Sequence, residues 1–146
     1  MSEKRSQYIL VIGCGRLGAH LATQLSRHGH SVVVIDLDEG KFAALGVEFS
    51  GFRIEADAVE LTTLKQAKAE RADRLIAVTG DDNINLAVAQ MGRKLFNVPN
   101  VVARVSNPAS EKVFRQLGIN TICPLVLAGD ALLGEVANDP QKERHQ

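Results

Sequence analysis

Six short apolar runs, each followed by a stretch with helical spacing, constrain this chain more than any other feature. They are YILVI (8–12), SVVVI (31–35), a weaker run over 49–54, RLIAVT (74–79), NVVARV (100–105) and NTIC (120–123). Runs that are apolar throughout belong in a sheet covered on both faces. Strands that alternate with helices over short connections pair in parallel. The intervening stretches read as helices over 16–28, 39–45, 59–70 and 81–96, with another opening at Asn107-Pro108, since proline suits a first helical turn. Leu17, Leu21 and Leu25 recur every fourth residue, which predicts one buried stripe on the first helix. Ile84, Ala87, Val88, Met91 and Leu95 predict the same for 81–96, with Asp81 and Asp82 at its start, where carboxylates favour the positive end of the helix dipole. The expected fold class is α/β: a doubly wound parallel sheet of about six strands with helices on both faces.

At 146 residues, 45% of them hydrophobic, the chain has enough apolar side chain for one core and one domain. Seventeen basic residues balance seventeen acidic ones, and without a basic surplus nucleic acid is not an expected partner. Cys14 and Cys123 show no paired spacing, so no metal site is expected. The polar start MSEKRSQ resembles no signal peptide, and no apolar stretch is long enough to cross a bilayer. The expected organisation is a flexible 1–7, a domain over 8–137 and a frayed tail over 138–146. Within that domain LVLAGDALLGEV (125–136) has two readings. It is a last helix lying on the sheet, or a docking surface for a second subunit.

The first strand runs into GCGRLG, so Gly13, Gly15 and Gly18 form a G-x-G-x-x-G at the strand-to-helix junction. In that setting the glycines permit a tight turn, close approach of a pyrophosphate and close packing of helix on strand. The amides that open the helix then face the phosphates. Asp36 follows the second strand about twenty residues on, where a carboxylate accepts from ribose hydroxyls and repels a 2′-phosphate. The sheet is therefore expected to be Rossmann-like, with NAD or an adenosine nucleotide favoured over NADP. Arg16 follows the second glycine and is either a phosphate reader or a solvated arginine at a helix start. Cys14 lacks a histidine placed to activate it and reads as a packing residue. Cys123, His20, His28 and His30 read as structural or surface residues. Thr79, Asp81, Asp82, Asn83 and Asn85 lie after the fourth strand, where they serve as turn and helix-cap residues or line a ligand. The one tyrosine, Tyr8, precedes the glycine loop, so no downstream Tyr-x-x-x-Lys pair exists to act as a reductase acid, and no second domain is visible to hold a substrate. No catalytic residue is expected.

GCGRLG, IDLD (35–38), Asp57-Ala58, VTGDDNINL (78–86), ARVSNP (103–108) and LGINTICP (117–124) occur in that order. Together they resemble the N-terminal nucleotide-binding subdomain (TrkA-N) of the RCK/KTN family, the TrkA-like regulatory proteins of bacterial potassium uptake. The resemblance covers about residues 7–137. It implies a Rossmann fold that binds NAD(H), ATP, ADP or AMP and catalyses nothing. It also implies a homodimer or larger ring beneath a membrane potassium transporter or channel subunit, at the cytoplasmic face of the cell membrane. Carried onto this chain, the phosphates fall to Gly13, Cys14, Gly15, Arg16, Leu17 and Gly18, and the ribose to Asp36 and Leu37. Asp57 and Ala58 border the adenine, and Thr79 and Arg104 complete the cleft or face a neighbouring subunit. Where the family often has Gly-Asp before the adenine edge, this chain has Ala56-Asp57. Many relatives carry a second, C-terminal subdomain, and this sequence stops before it: either it is a piece of a longer protein, or a separate regulatory subunit supplies that subdomain. The resemblance also extends to nucleotide-binding tails of cation/proton antiporters. A small NAD-dependent oxidoreductase, or the cofactor half of one, is the alternative from a different class.

Overall fold

The computed structural model describes residues 5–138. Residues 139–146 of the expected tail over 138–146, and the first four residues, lie outside the described residues. In chain order the elements are β1 (Tyr8–Ile12), α1 (Arg16–Arg27), β2 (Ser31–Asp36), a 3-10 segment (Glu39–Ala44), β3 (Phe52–Glu55), α2 (Leu61–Gln66), a second 3-10 segment (Ala69–Arg71) and β4 (Arg74–Ala77). Then follow α3 (Asp82–Lys94), β5 (Asn100–Arg104), α4 (Pro108–Gln116), β6 (Asn120–Ile122) and α5 (Pro124–Ala137).

The six strands form one sheet in the order β3-β2-β1-β4-β5-β6, and every neighbouring pair is parallel. This is the Rossmann arrangement that the glycine motif predicts. The chain leaves β1 in one direction for β2 and β3, then crosses back to β4. A crevice therefore opens between the carboxyl ends of β1 and β4, where such sheets bind ligands. Successive side chains of a strand face opposite sides, and the sheet divides its core accordingly. Leu10, Ile12, Val33, Ile35 and Leu75 pack with Leu64, Val88 and Phe114 on one face. Ile9, Val11, Val32 and Val34 pack with Ala19, Ala22, Phe42 and Phe49 on the other.

The helices bury the predicted stripes only in part: Val88 is fully buried and Ile84, Met91 and Leu25 pack at the edge of the core, but most of the residues nearest the sheet are others. The inward face of α1 is Gly18, Ala19, Ala22, Thr23 and Ser26, while Leu17 is 40% exposed and Leu21 and Leu25 are half-buried. The inward face of α3 is Asn85, Val88, Ala89 and Gly92, and Leu95 stays exposed beyond the last turn. The cause is close approach. A methyl built at Gly18 would stand 1.9 Å from the Gly13 carbonyl oxygen, and one at Gly92 would stand 2.8 Å from Leu75 Cδ1. Small residues admit the sheet, and the larger ones flank the contact.

Three further boundaries differ. The helix read over 59–70 breaks into α2 and a 3-10 segment, because Lys68 takes a left-handed conformation at φ 56°. The weak strand read over 49–54 begins at Phe52, and Phe49 is a buried loop residue. The run read over 74–79 leaves the sheet after Ala77. Helix α5 buries none of its residues, which rules out the reading of 125–136 as a helix lying on the sheet. Among the described residues, no helix is long and apolar enough to cross a membrane.

Candidate functional site

The crevice is built from the glycine loop outward. Gly13 sits at φ +107°, and a side chain there would meet the Thr79 nitrogen at 2.8 Å. Only glycine satisfies both demands. Its own amide donates to the Ile35 carbonyl at 2.8 Å, which ties the turn to β2. Gly15 is the N-cap of α1; no side chain caps the helix, its first turn has no acid, and a methyl at Gly15 would meet nothing within 4 Å. The first helical hydrogen bond is Ala19 N–H to the Gly15 carbonyl at 2.8 Å. The three amides before it therefore open toward the crevice, the arrangement that receives a phosphate.

Asp36 stands across the loop at the end of β2. One carboxylate oxygen accepts from the Cys14 amide and the other from the Asp38 amide, each at 2.8 Å. These bonds fix the carboxylate and leave a lone pair on each oxygen for a ribose hydroxyl. Cys14 is buried, and burial first, then the Asp36 charge, pushes its thiol above its usual range. A protonated, buried thiol is a packing group, not a nucleophile.

Two adjoining cavities share Gly13, Asp36, Lys41, Thr79 and Gly80. The first, about 240 Å³, is also lined by Leu37, Ala56, Asp57 and Ala58. The second, about 430 Å³, is also lined by Gly15, Arg16, Leu17, Val78, Arg104 and Pro124. Of the residues expected at a nucleotide, only Cys14 and Gly18 line neither cavity. Both support the loop from behind. Arg16, Lys41 and Arg104 face one carboxylate, Asp36, across the larger cavity. A surplus of cations there suits phosphate. The buried Nε of Arg104 has no hydrogen-bond partner, a state that a bound anion would relieve.

Asp81, Asp82 and Asn85 hold the crevice in shape. Asp81 caps α3, accepting from the amides of Asn83 at 2.8 Å and Ile84 at 3.2 Å. Asp82 accepts from the Ser106 amide at 2.9 Å, joining α3 to the loop after β5. Asn85 is fully buried. Its Oδ1 accepts from the Thr79 amide at 2.9 Å and hydroxyl at 2.7 Å, and its Nδ2 donates to the carbonyls of Thr79 and Arg104, each at 3.0 Å. It clasps the ends of β4 and β5. Thr79 thus reaches the crevice with its hydroxyl already engaged. Lys41 is the charged lining residue that sequence reasoning missed; the available signal was a cation five residues after Asp36, in the 3-10 segment beyond β2.

The TrkA-N domain family matches residues 9–124. A Trk system potassium uptake protein TrkA from Streptomyces coelicolor is 38% identical over 126 residues, which are 86% of this chain and 56% of that protein. The chain thus spans little more than half the length of that relative. Among solved structures, the Kef CTD of Shewanella denitrificans in its AMP-bound form superposes with a TM-score of 0.77 at 17% identity, covering 94% of this chain and 87% of that one. The GsuK channel bound to NAD superposes with a TM-score of 0.69 at 21% identity, over 86% of this chain and 22% of that one. At those identities the two structures establish the fold alone.

Proposed function

This chain belongs to the TrkA-N domain family, and from that membership we propose that it is the nucleotide-sensing regulatory part of a potassium transport system. The observation that carries the reading is the cluster of Arg16, Lys41 and Arg104 around the uncapped start of α1, opposite Asp36. The smaller cavity takes the adenosine: Asp36 and Leu37 at the ribose, Asp57 and Ala58 at the adenine edge. The larger cavity takes the phosphates over Gly13, Gly15 and Leu17, with Arg16 and Arg104 as the charges that respond to their number. The ligand is NAD(H) or one of ATP, ADP and AMP. The names of its relatives and neighbours support this: a potassium uptake protein, an AMP-bound domain and an NAD-bound channel.

The chain works by binding and not by catalysis. Its partner is a membrane potassium transporter or channel subunit at the cytoplasmic face, and its own assembly is a homodimer or larger ring, with a separate C-terminal regulatory subunit as a further partner. Ligands with different phosphate numbers bind two arrangements of the assembly unequally, and that difference biases the gate.

The test is isothermal titration with ATP, ADP, AMP, NAD and NADH, with light scattering on each mixture. Affinities that differ among the ligands, together with a shift in assembly, are expected. Arg16→Ala should bring the affinities for ATP and AMP together; unchanged discrimination removes Arg16 from the sensing step. Turnover of NADH with carbonyl substrates would replace the proposal with an oxidoreductase.

A further inference from the structure

A cavity of about 580 Å³ lies on the α2 side of the sheet, toward the amino-terminal ends of the strands and away from the crevice. It lies beside α2, which is only six residues long and is followed by the left-handed turn at Lys68. The strands beneath are left partly uncovered, and Phe52 is 74% exposed. Tyr8, Val33, Phe52 and Ile54 give the cavity an apolar floor. The Tyr8 hydroxyl donates to the Ala67 carbonyl, which satisfies its polar end and holds the ring as a wall.

The opposite wall carries Gln66, Lys68 and Arg71. Neither cation forms a salt bridge among the described residues. Glu70 lies between them in sequence, and its charge acts on Tyr8 more strongly than that of Arg71, but among the described residues no acid lines the cavity itself. Arg53 contributes through its backbone. It pairs with Val34, whose side chain faces the other core, and its guanidinium lies 5.0 Å from the Phe49 ring centroid there.

An apolar floor facing two cations and an amide fits one chemistry best. A hydrocarbon alone would leave the charges unanswered, and phosphate alone would leave the floor wet. A carboxylate can take a guanidinium in two parallel hydrogen bonds while its body covers the floor. We propose that this cavity is a second ligand site, separate from the nucleotide crevice, that takes an apolar monocarboxylate, with its body on Tyr8, Val33, Phe52 and Ile54 and its charge toward Lys68 and Arg71.

Tyr8 is the only tyrosine and the chain has no tryptophan, so ultraviolet fluorescence reports this cavity directly. The full chain is titrated with octanoate, and in parallel with octanol as the uncharged counterpart. The expected result is a saturable Tyr8 change with a Kd at or below ~1 mM, and octanol weaker by about tenfold or more. Phe52→Ser and the pair Lys68→Gln with Arg71→Gln should each weaken octanoate by about tenfold, with the circular dichroism and the nucleotide titration unchanged. Absence of a saturable change, equal binding of octanol, or indifference to both variants overturns the site. A Tyr8 signal that follows protein concentration alone gives the groove to a second copy of the chain and overturns it as well.

Discussion

A single methyl separates the roles of two glycines in the loop. At Gly18 it would meet the Gly13 carbonyl, and at Gly15 nothing. Gly18→Ala must push α1 away from β1, so it should lower stability by about 1–3 kcal/mol and weaken nucleotide binding with it. Gly15→Ala should leave thermal unfolding nearly unchanged and weaken binding alone, because its methyl intrudes only where a phosphate approaches. Paired melting and titration curves separate the two. Asn85→Ala would strip the Thr79 amide and two carbonyls of the partner that the fully buried Asn85 gives them, while the Thr79 hydroxyl keeps the Asp81 carbonyl. One unsatisfied buried group costs about 1–3 kcal/mol, so a loss at or above the top of that range in chemical denaturation is expected. Gly13, Gly15, Gly18 and Asp36 are legible in the sequence because their spacing carries their meaning. Lys41 is not, because only the tertiary fold brings it to the crevice; Asn85 is legible as a residue of the turn after β4, but its bond to the Arg104 carbonyl is not.

Apolar periodicity finds helices well and ranks their faces poorly. The spacing of Leu17, Leu21 and Leu25 locates α1, but the face that meets the sheet is the row of small residues beside them. Hydrophobicity records what leaves water, whereas contact distance decides what can fit, and a helix lying this close to β1 admits only small side chains. The inversion predicts opposite outcomes for two substitutions on one helix. Leu17→Gln, at a 40% exposed position, should change stability by no more than ~0.5 kcal/mol. Ala22→Leu, at a position with no exposure, should cost about 1–3 kcal/mol by overpacking. Equal effects in thermal unfolding would mean that the leucine row, and not the alanine row, faces the sheet. The break at Lys68 was equally hidden, since nothing in VELTTLKQAKAE forces a lysine into the left-handed region.

At the scale of the molecule, β1 to β6 with their helices form a closed unit, and α5 stands outside it. Leu125, Leu127, Leu132, Leu133 and Val136 are each between 56% and 69% exposed. Apolar side chains gathered at that exposure mark an interaction surface more often than a solvated one. The sequence alone left 125–136 with two readings, because an apolar helix looks the same whether it covers its own sheet or another chain. The structure removes the first of these, since α5 buries nothing on its own fold. Replacing Leu132 and Leu133 together by Asp should therefore leave the melting of the sheet unit nearly intact while lowering the mass seen by light scattering. The distinction is informative because the core draws on none of these side chains: no residue of α5 belongs to either buried cluster. If the mass does not fall, α5 is not the surface on which copies of this chain meet. If the sheet unit itself melts early, α5 supports the fold from a position that its exposure gives no sign of.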